Sequence, residues 1–284
     1  MKFGIIGDAS KGIPWEQHLR PHNIVREVIL CSNITDISGI DACIILDESD
    51  SNLETLLEAV KKGYHCFLVA KQPTHIKKLE KIHRSARESN CQIQFAQWSV
   101  LAPATRWMMD KISKPNFIHI EKNIGRSHSA KNSNDFKRYW IDELGICLKW
   151  IDSGIHHIEA KQISVTSSYP SLAHFFLRFD NGSTATIHVY SAANEDSHKR
   201  IISTKTTLLE CNVPSQTVKI GRRSNTNHIF FEKQEFDATK AAEKATLLFL
   251  KSIQLNKKTA YTSYDALQLA IQIERIESRL NQFS

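Results

Sequence analysis

The chain has 284 residues, 41% of them hydrophobic, and its 37 Lys and Arg outnumber 30 Asp and Glu for a net charge of +7. That length fits two modest domains or one large one, and the apolar share excludes a disordered chain. No apolar run approaches the roughly 20 residues needed to cross a bilayer, and the cations are spread without a basic block, so neither a membrane span nor a nucleic-acid footprint is expected.

The start, Met1-Lys2-Phe3-Gly4-Ile5-Ile6-Gly7, runs straight into a strand pattern and lacks the apolar region and cleavage site of a signal peptide. Gly7-Asp8-Ala9-Ser10-Lys11-Gly12 follows, with the spacing of a dinucleotide-binding turn and Ala9 at the second glycine. A methyl there crowds the approach of a pyrophosphate, and a plain strand–helix turn fits the same residues. A helix is expected from Pro14. Strands over 25–31 and 41–46 come next, with only 32–40 between them, too short for a helical crossover. Residues 52–62 have helical apolar spacing and stop at Gly63; strand 65–69, a helix over 76–88 capped by Thr74, strand 93–98 and helix 103–112 complete the half. Strands alternating with helices in this way need parallel crossovers. The six cysteines (Cys31, Cys43, Cys66, Cys91, Cys147, Cys211) form no CxxC or CxxH pair and read as reduced core thiols of a cytoplasmic protein.

After Pro115 the pattern changes. Residues 116–123 read as a strand, 125–134 as a polar, basic loop, and 136–140 and 146–163 as helical matter. In a helix, Asp152 and His156 share one face, with Glu159 a turn further on. An acid and an imidazole so placed can move a proton together; on the segment alone, an amphipathic helix with an exposed charged edge and a hydrogen-bonded core histidine is the simpler reading. His156, His157 and Glu159 diverge on a helix, so no metal site is expected. Alternating runs 173–179 and 183–190 flank the hairpin turn Asp180-Asn181-Gly182, and strands over 200–206, 207–211, 216–220 and 227–232 follow. The chain closes with helix 241–253, a cap near Thr262-Ser263, and a stripe of Ala266, Leu269, Ala270, Ile273, Ile276 and Leu280. The fold class is therefore α/β. A Rossmann-type doubly wound parallel sheet over 1–114 is expected to precede an α+β domain over 115–284 with a mostly antiparallel open sheet.

In order and spacing, several stretches resemble the glucose–fructose oxidoreductase / inositol dehydrogenase (Gfo/Idh/MocA) family. They are Gly4–Gly7, Glu58-Ala-Val-Lys-Lys-Gly-Tyr-His65, Asp152–His156, Phe176-Leu-Arg-Phe-Asp-Asn-Gly-Ser-Thr-Ala185 and Thr262-Ser-Tyr-Asp-Ala-Leu267. The resemblance implies NAD or NADP in the first domain, held through Gly7, Asp8, Ala9, Ser10, Gly12, Ser32, Asn33 and Gln97. It implies a sugar- or polyol-like substrate, contacted by Arg138, Trp140 and His157, and hydride transfer to or from the nicotinamide. His156 would be the acid/base with Asp152 as its partner, and Lys71 would stand for the lysine of the family's Glu-Lys-Pro motif.

The chain departs from that pattern. The Glu-Lys-Pro motif appears as Val69-Ala70-Lys71-Gln72-Pro73, with a residue inserted and no Glu. The Thr-Pro loop after the third strand is Leu46-Asp47-Glu48-Ser49-Asp50-Ser51, which sets three carboxylates near a pyrophosphate. Two readings follow: an NAD(P)-dependent oxidoreductase, or a catalytically inactive relative that binds a ligand or a partner subunit. A homo-oligomer is expected through the open sheet, with Phe175/Leu177/Phe179 and Ala185/Ile187/Val189 as its surface.

Overall fold

The computed structural model describes residues 1–49, 51–165, 169–223 and 229–281. The chain forms two compact units, one from Met1–Leu101 with Thr239–Ile271, the other from Ala102–Ala238 with the chain from Gln272 onward.

In the first unit, five parallel strands, β1 (Lys2–Gly7), β2 (Glu27–Cys31), β3 (Ala42–Leu46), β4 (His65–Leu68) and β5 (Ile93–Phe95), stand in the order β2-β1-β3-β4-β5. Alternation divides their side chains between two faces. Phe3, Ile5, Ile44 and Phe67 meet Phe249 and Leu250 of a late helix, Ala241–Gln254, which is α7 in chain order. Cys43 and Cys66, paired in register, lie with their Sγ atoms 3.7 Å apart on the other face. The short connection between β2 and β3 crosses β1 with one 3-10 turn, Ile34–Asp36. Gly4 makes that possible: a Cβ there would stand 2.8 Å from Ile37 Cδ1 and 2.9 Å from Ile40 Cδ1, so the crossover lies flat on the strand.

Helix α1 (Ala9–Leu19) starts five residues before the expected Pro14, which lies inside it. Asp8 supplies the earlier start by capping the first turn. Helices α2 (Asn52–Lys61) and α3 (Ile76–Glu88) fall where the apolar spacing put them, although His75 rather than Thr74 stands at the α3 cap position. The fifth strand ends at Phe95, and the last residue of the expected run, Trp98, opens α4 (Trp98–Leu101).

The second unit opens with α5 (Pro103–Lys111) and is built on an eight-stranded sheet, β13-β12-β11-β10-β6-β9-β8-β7. Its strands are β6 (Phe117–Gly125), β7 (Ile155–Ile163), β8 (Leu172–Phe179), β9 (Thr184–Ala193), β10 (Ser197–Ser203), β11 (Thr207–Asn212), β12 (Thr217–Arg223) and β13 (Ile229–Glu235). All neighbours are antiparallel except β6 with β9. Residues 227–228, expected to open the last strand, and Asp50 of the acidic loop lie outside the described residues.

Helix α6 (Ser133–Ile151) corrects two expectations. It begins within the expected basic loop, capped by Asn132, whose side chain accepts from the Asp135 amide at 2.9 Å. It also ends at Ile151, because Asp152 turns left-handed (φ 51°). The expected helix over 152–159 is instead a three-residue link, Asp152-Ser153-Gly154, and strand β7. A further correction concerns the apolar stripes of β8 and β9. Phe175, Leu177, Phe179, Ala185, Ile187 and Val189 are all fully or almost fully buried, with Trp140 of α6 packed 4.9 Å from the Phe175 ring. That face is already covered by the chain's own helix and is not a free dimer surface.

The exposed apolar side chains lie elsewhere. Ile229, Phe230 and Phe231 on the sheet-edge strand β13 are each 61% accessible. Among the described residues, no helix is long and apolar enough to cross a membrane.

Candidate functional site

The β1–α1 turn keeps two of three glycine roles. Gly7 sits at φ +138°, and a Cβ there would meet the Leu46 carbonyl oxygen at 2.5 Å. Gly12 lets the helix close on the sheet, since a Cβ would stand 3.0 Å from Leu30 and 3.3 Å from Ile5. Between them the chain supplies its own anion. The Asp8 carboxylate accepts from the Ser10 amide at 2.7 Å and the Ser10 hydroxyl at 2.6 Å, which holds Asp8 below the usual carboxylate range. The end of a helix that would greet a diphosphate is thus answered by a side chain. Gly7 pairs with Leu46 in register, so Asp47 follows the neighbouring strand directly, its carboxylate accepting from the Ser49 amide at 2.8 Å. A dinucleotide's doubly charged linker would meet both acids, with Ala9 in place of bare backbone; these residues do not fit it.

The other residues expected at the cofactor are dispersed in role. Ser32 and Asn33 are exposed after β2, and the Asn33 amide donates to Asp36 at 3.3 Å. Gln97 is buried, at 1% accessibility. Lys71 is exposed, whereas Gln72, the residue that touches Pro73, carries a buried Nε2 without a hydrogen-bond partner.

In the second unit, Asp152 and His156 do not share a helix face. Asp152 caps α6 and His156 opens an edge strand, where its Nδ1 lies 3.8 Å from Asp180. Both of those side chains are about two-thirds exposed, 68% and 62%, so the contact is a solvated one. His157 pairs with Glu159 at 3.2 Å, also at the surface. Trp140 is fully buried in the core and Arg138 is exposed on α6, 3.9 Å from Asp135. The expected clasp of Arg138 and Trp140 is therefore not formed: positions two apart on a helix face different ways, and here one side chain points out and the other in.

The acid that α6 does aim inward is Glu143. Arg200 of β10 binds it with two parallel bonds, Nε to Oε2 at 2.9 Å and an NH2 group to Oε1 at 3.0 Å, and its NH1 donates to Thr105 of α5 at 2.9 Å. Both partners of the ion pair are 1% accessible. His198 Nε2 lies 3.3 Å from Glu143, at ion-pair distance for a protonated ring but without hydrogen-bond alignment. Burial works to raise the Glu143 pKa, yet Arg200 and then His198 outweigh it and hold the carboxyl well below its ordinary range. Burial pushes His198 down, so its ring favours the neutral form. Four residues on from Glu143, burial raises the Cys147 thiol far above its usual range, and it raises nearby Cys211 to about 11; neither is a nucleophile at neutral pH.

This network was absent from the sequence reading. Its one local signal is a charged residue on the apolar stripe Trp140, Leu144, Cys147, Ile151; its partner lies 57 positions away.

No protein-family model and no curated protein matches the chain. Solved structures do. A UDP-N-acetylglucosamine 3-dehydrogenase from Acidithiobacillus ferrooxidans aligns over 100% of this chain and 98% of its own, with TM-score 0.83 and 14% identity. An NAD-binding oxidoreductase from Klebsiella pneumoniae aligns over 100% and 97%, with TM-score 0.84 and 11% identity. A putative myo-inositol dehydrogenase from Sinorhizobium meliloti aligns over 100% and 98%, with TM-score 0.75 and 12% identity. The chain thus has the fold of the Gfo/Idh/MocA-type dehydrogenases, and at these identities the likeness is one of fold.

Proposed function

We propose that this chain is a ligand-binding protein on a dehydrogenase fold that does not run nicotinamide hydride transfer. The observation that carries the reading is the Asp8 carboxylate bound to the first turn of α1. Asp47, which follows the strand paired with β1, and Ala9 in place of the second glycine support it. The ligand class is a sugar or polyol, by analogy with the neighbours named for UDP-N-acetylglucosamine and myo-inositol. Oligomers, if the chain forms them, use a surface other than the buried stripes of β8 and β9.

Titration with NADH and NADPH, followed by energy transfer from tryptophan to the nicotinamide, tests this. The wild type should not saturate below about 1 mM, whereas Asp8→Asn combined with Ala9→Gly should tighten binding by about tenfold or more. Saturable micromolar binding by the wild type would overturn the reading.

That outcome would favour a second reading, motivated by the retained roles of Gly7 and Gly12. It is an NAD(P)-dependent oxidoreductase acting on a sugar-like hydroxyl or ketone, with His156, Asp152 and Lys71 handling the proton. His156→Ala would then cost turnover by about 10²-fold or more.

A further inference from the structure

Strand β6 ends in a register shift between Asn123 and Gly125, and a 3-10 turn, Arg126–His128, follows it. The shift turns the Gly125 amide onto Asp196, whose Oδ1 accepts it at 2.6 Å. The second carboxylate oxygen meets His128 Nδ1 at 2.7 Å. The histidine is fixed from the other side as well: its carbonyl accepts from the Tyr139 hydroxyl at 2.7 Å. Lys122 holds Tyr139 in turn, donating to its carbonyl at 3.2 Å with the ammonium 5.6 Å from the ring centre. A surface ion pair between two free side chains has none of this backbone anchoring.

We propose that His128, oriented by Asp196, is an acid/base group of the second unit, acting on an anionic hydroxy or oxo compound. With Nδ1–H donated to Asp196, the Nε2 lone pair is left for a substrate; His128 itself is 70% exposed. Nε2 takes a proton from a C–H beside a carbonyl, the imidazolium forms against the Asp196 carboxylate and exchanges its proton with solvent, and a proton is returned to the enolate carbon. No oxidant is required. The Gly125 amide and the His128 ring both hold Asp196 below the usual carboxylate range, so it stays ionised to serve that charge. Arg126 and Lys131, exposed on the same turn and the segment after it, supply attraction for a carboxylate or phosphate. The assignment is independent of whether the first unit takes a dinucleotide, and its test contains none.

Two measurements test it on the full chain. Long-range proton–nitrogen NMR of the His128 ring should give the Nδ1–H tautomer in the wild type and a change toward Nε2–H in Asp196→Ala. Deuterium uptake from heavy water by dihydroxyacetone phosphate, at the carbon beside its carbonyl, should be about tenfold or more faster with wild type than with His128→Gln. His128→Gln sits on an exposed turn, and its circular dichroism should match the wild type. An Nε2–H ring in the wild type, or equal uptake by the two proteins, would overturn the proposal.

Discussion

Asp8 and Glu143 are both acids committed to hydrogen bonds within the chain, yet they live in opposite surroundings. Asp8 stands in water at the end of a helix and bonds a single serine. Glu143 is sealed between α6 and β10, where a guanidinium, a histidine and the hydroxyl-bound end of that guanidinium surround it. The first is a local cap on the opening turn of α1. The second is part of the way the unit is held together. Burial decides how much either acid can change without the fold changing with it.

That difference predicts a descending series of effects. Glu143→Ala leaves the Arg200 charge buried and unpaired, and should cost about 3–5 kcal/mol in a denaturant titration. Glu143→Leu combined with Arg200→Leu should recover most of that loss, and a double variant as unstable as the single one would refute the ion-pair account.

Acid should act on the same cluster in two stages. His198 has a folded pKa below its ordinary 6.5, so its contribution is complete above that value and is lost as pH falls through the folded pKa. Glu143, depressed from 4.5, follows the same sign at lower pH. Melting temperature against pH should begin to fall below about 6.5, and His198→Gln should shrink that first stage, which His65 and His83, also held below 6.5 by burial, share, while leaving the second.

Surface positions should respond least. His156→Ala should shift stability by no more than about 0.5 kcal/mol, in keeping with its exposed contact to Asp180. Asp152→Gly should stabilise by about 0.5 kcal/mol, because Asp152 holds a left-handed backbone that glycine adopts without strain. A loss at either position would mean that the α6–β7 link carries more than a change of direction.

The architecture was legible where local chemistry and global fold agree. The apolar spacing of α2, the Asp180-Asn181-Gly182 turn with Gly182 at φ +82° and Asn181 bonded to the Ser183 amide, and the short β2–β3 crossover were all readable from neighbours in sequence. The α6–β7 boundary was not. Ile151, Ile155 and Ile158 are spaced as a helix would space them, and Ile155 and Ile158 are buried through a strand with a register shift instead. The candidate sites were hidden for a related reason. Arg200 and Glu143 lie 57 residues apart, His128 and Asp196 lie 68 apart, and no periodicity links such partners before the sheet brings them together. Asp8 was visible as a residue, but its role needed the start of α1, which Pro14 disguised.

The edge strand β13 bears on how concentrated this protein can become. Three consecutive bulky apolar side chains on a sheet-edge strand are the makings of a growing fibril. A two-fold, antiparallel match along the full strand sets Ile229 against Glu235 and Glu232 against its own copy, so the central carboxylate repels the symmetric partner. Glu232, Lys233 and Glu235 act as the strand's solubility guard, and Glu232→Val would trade a clear solution for turbidity without touching either candidate site.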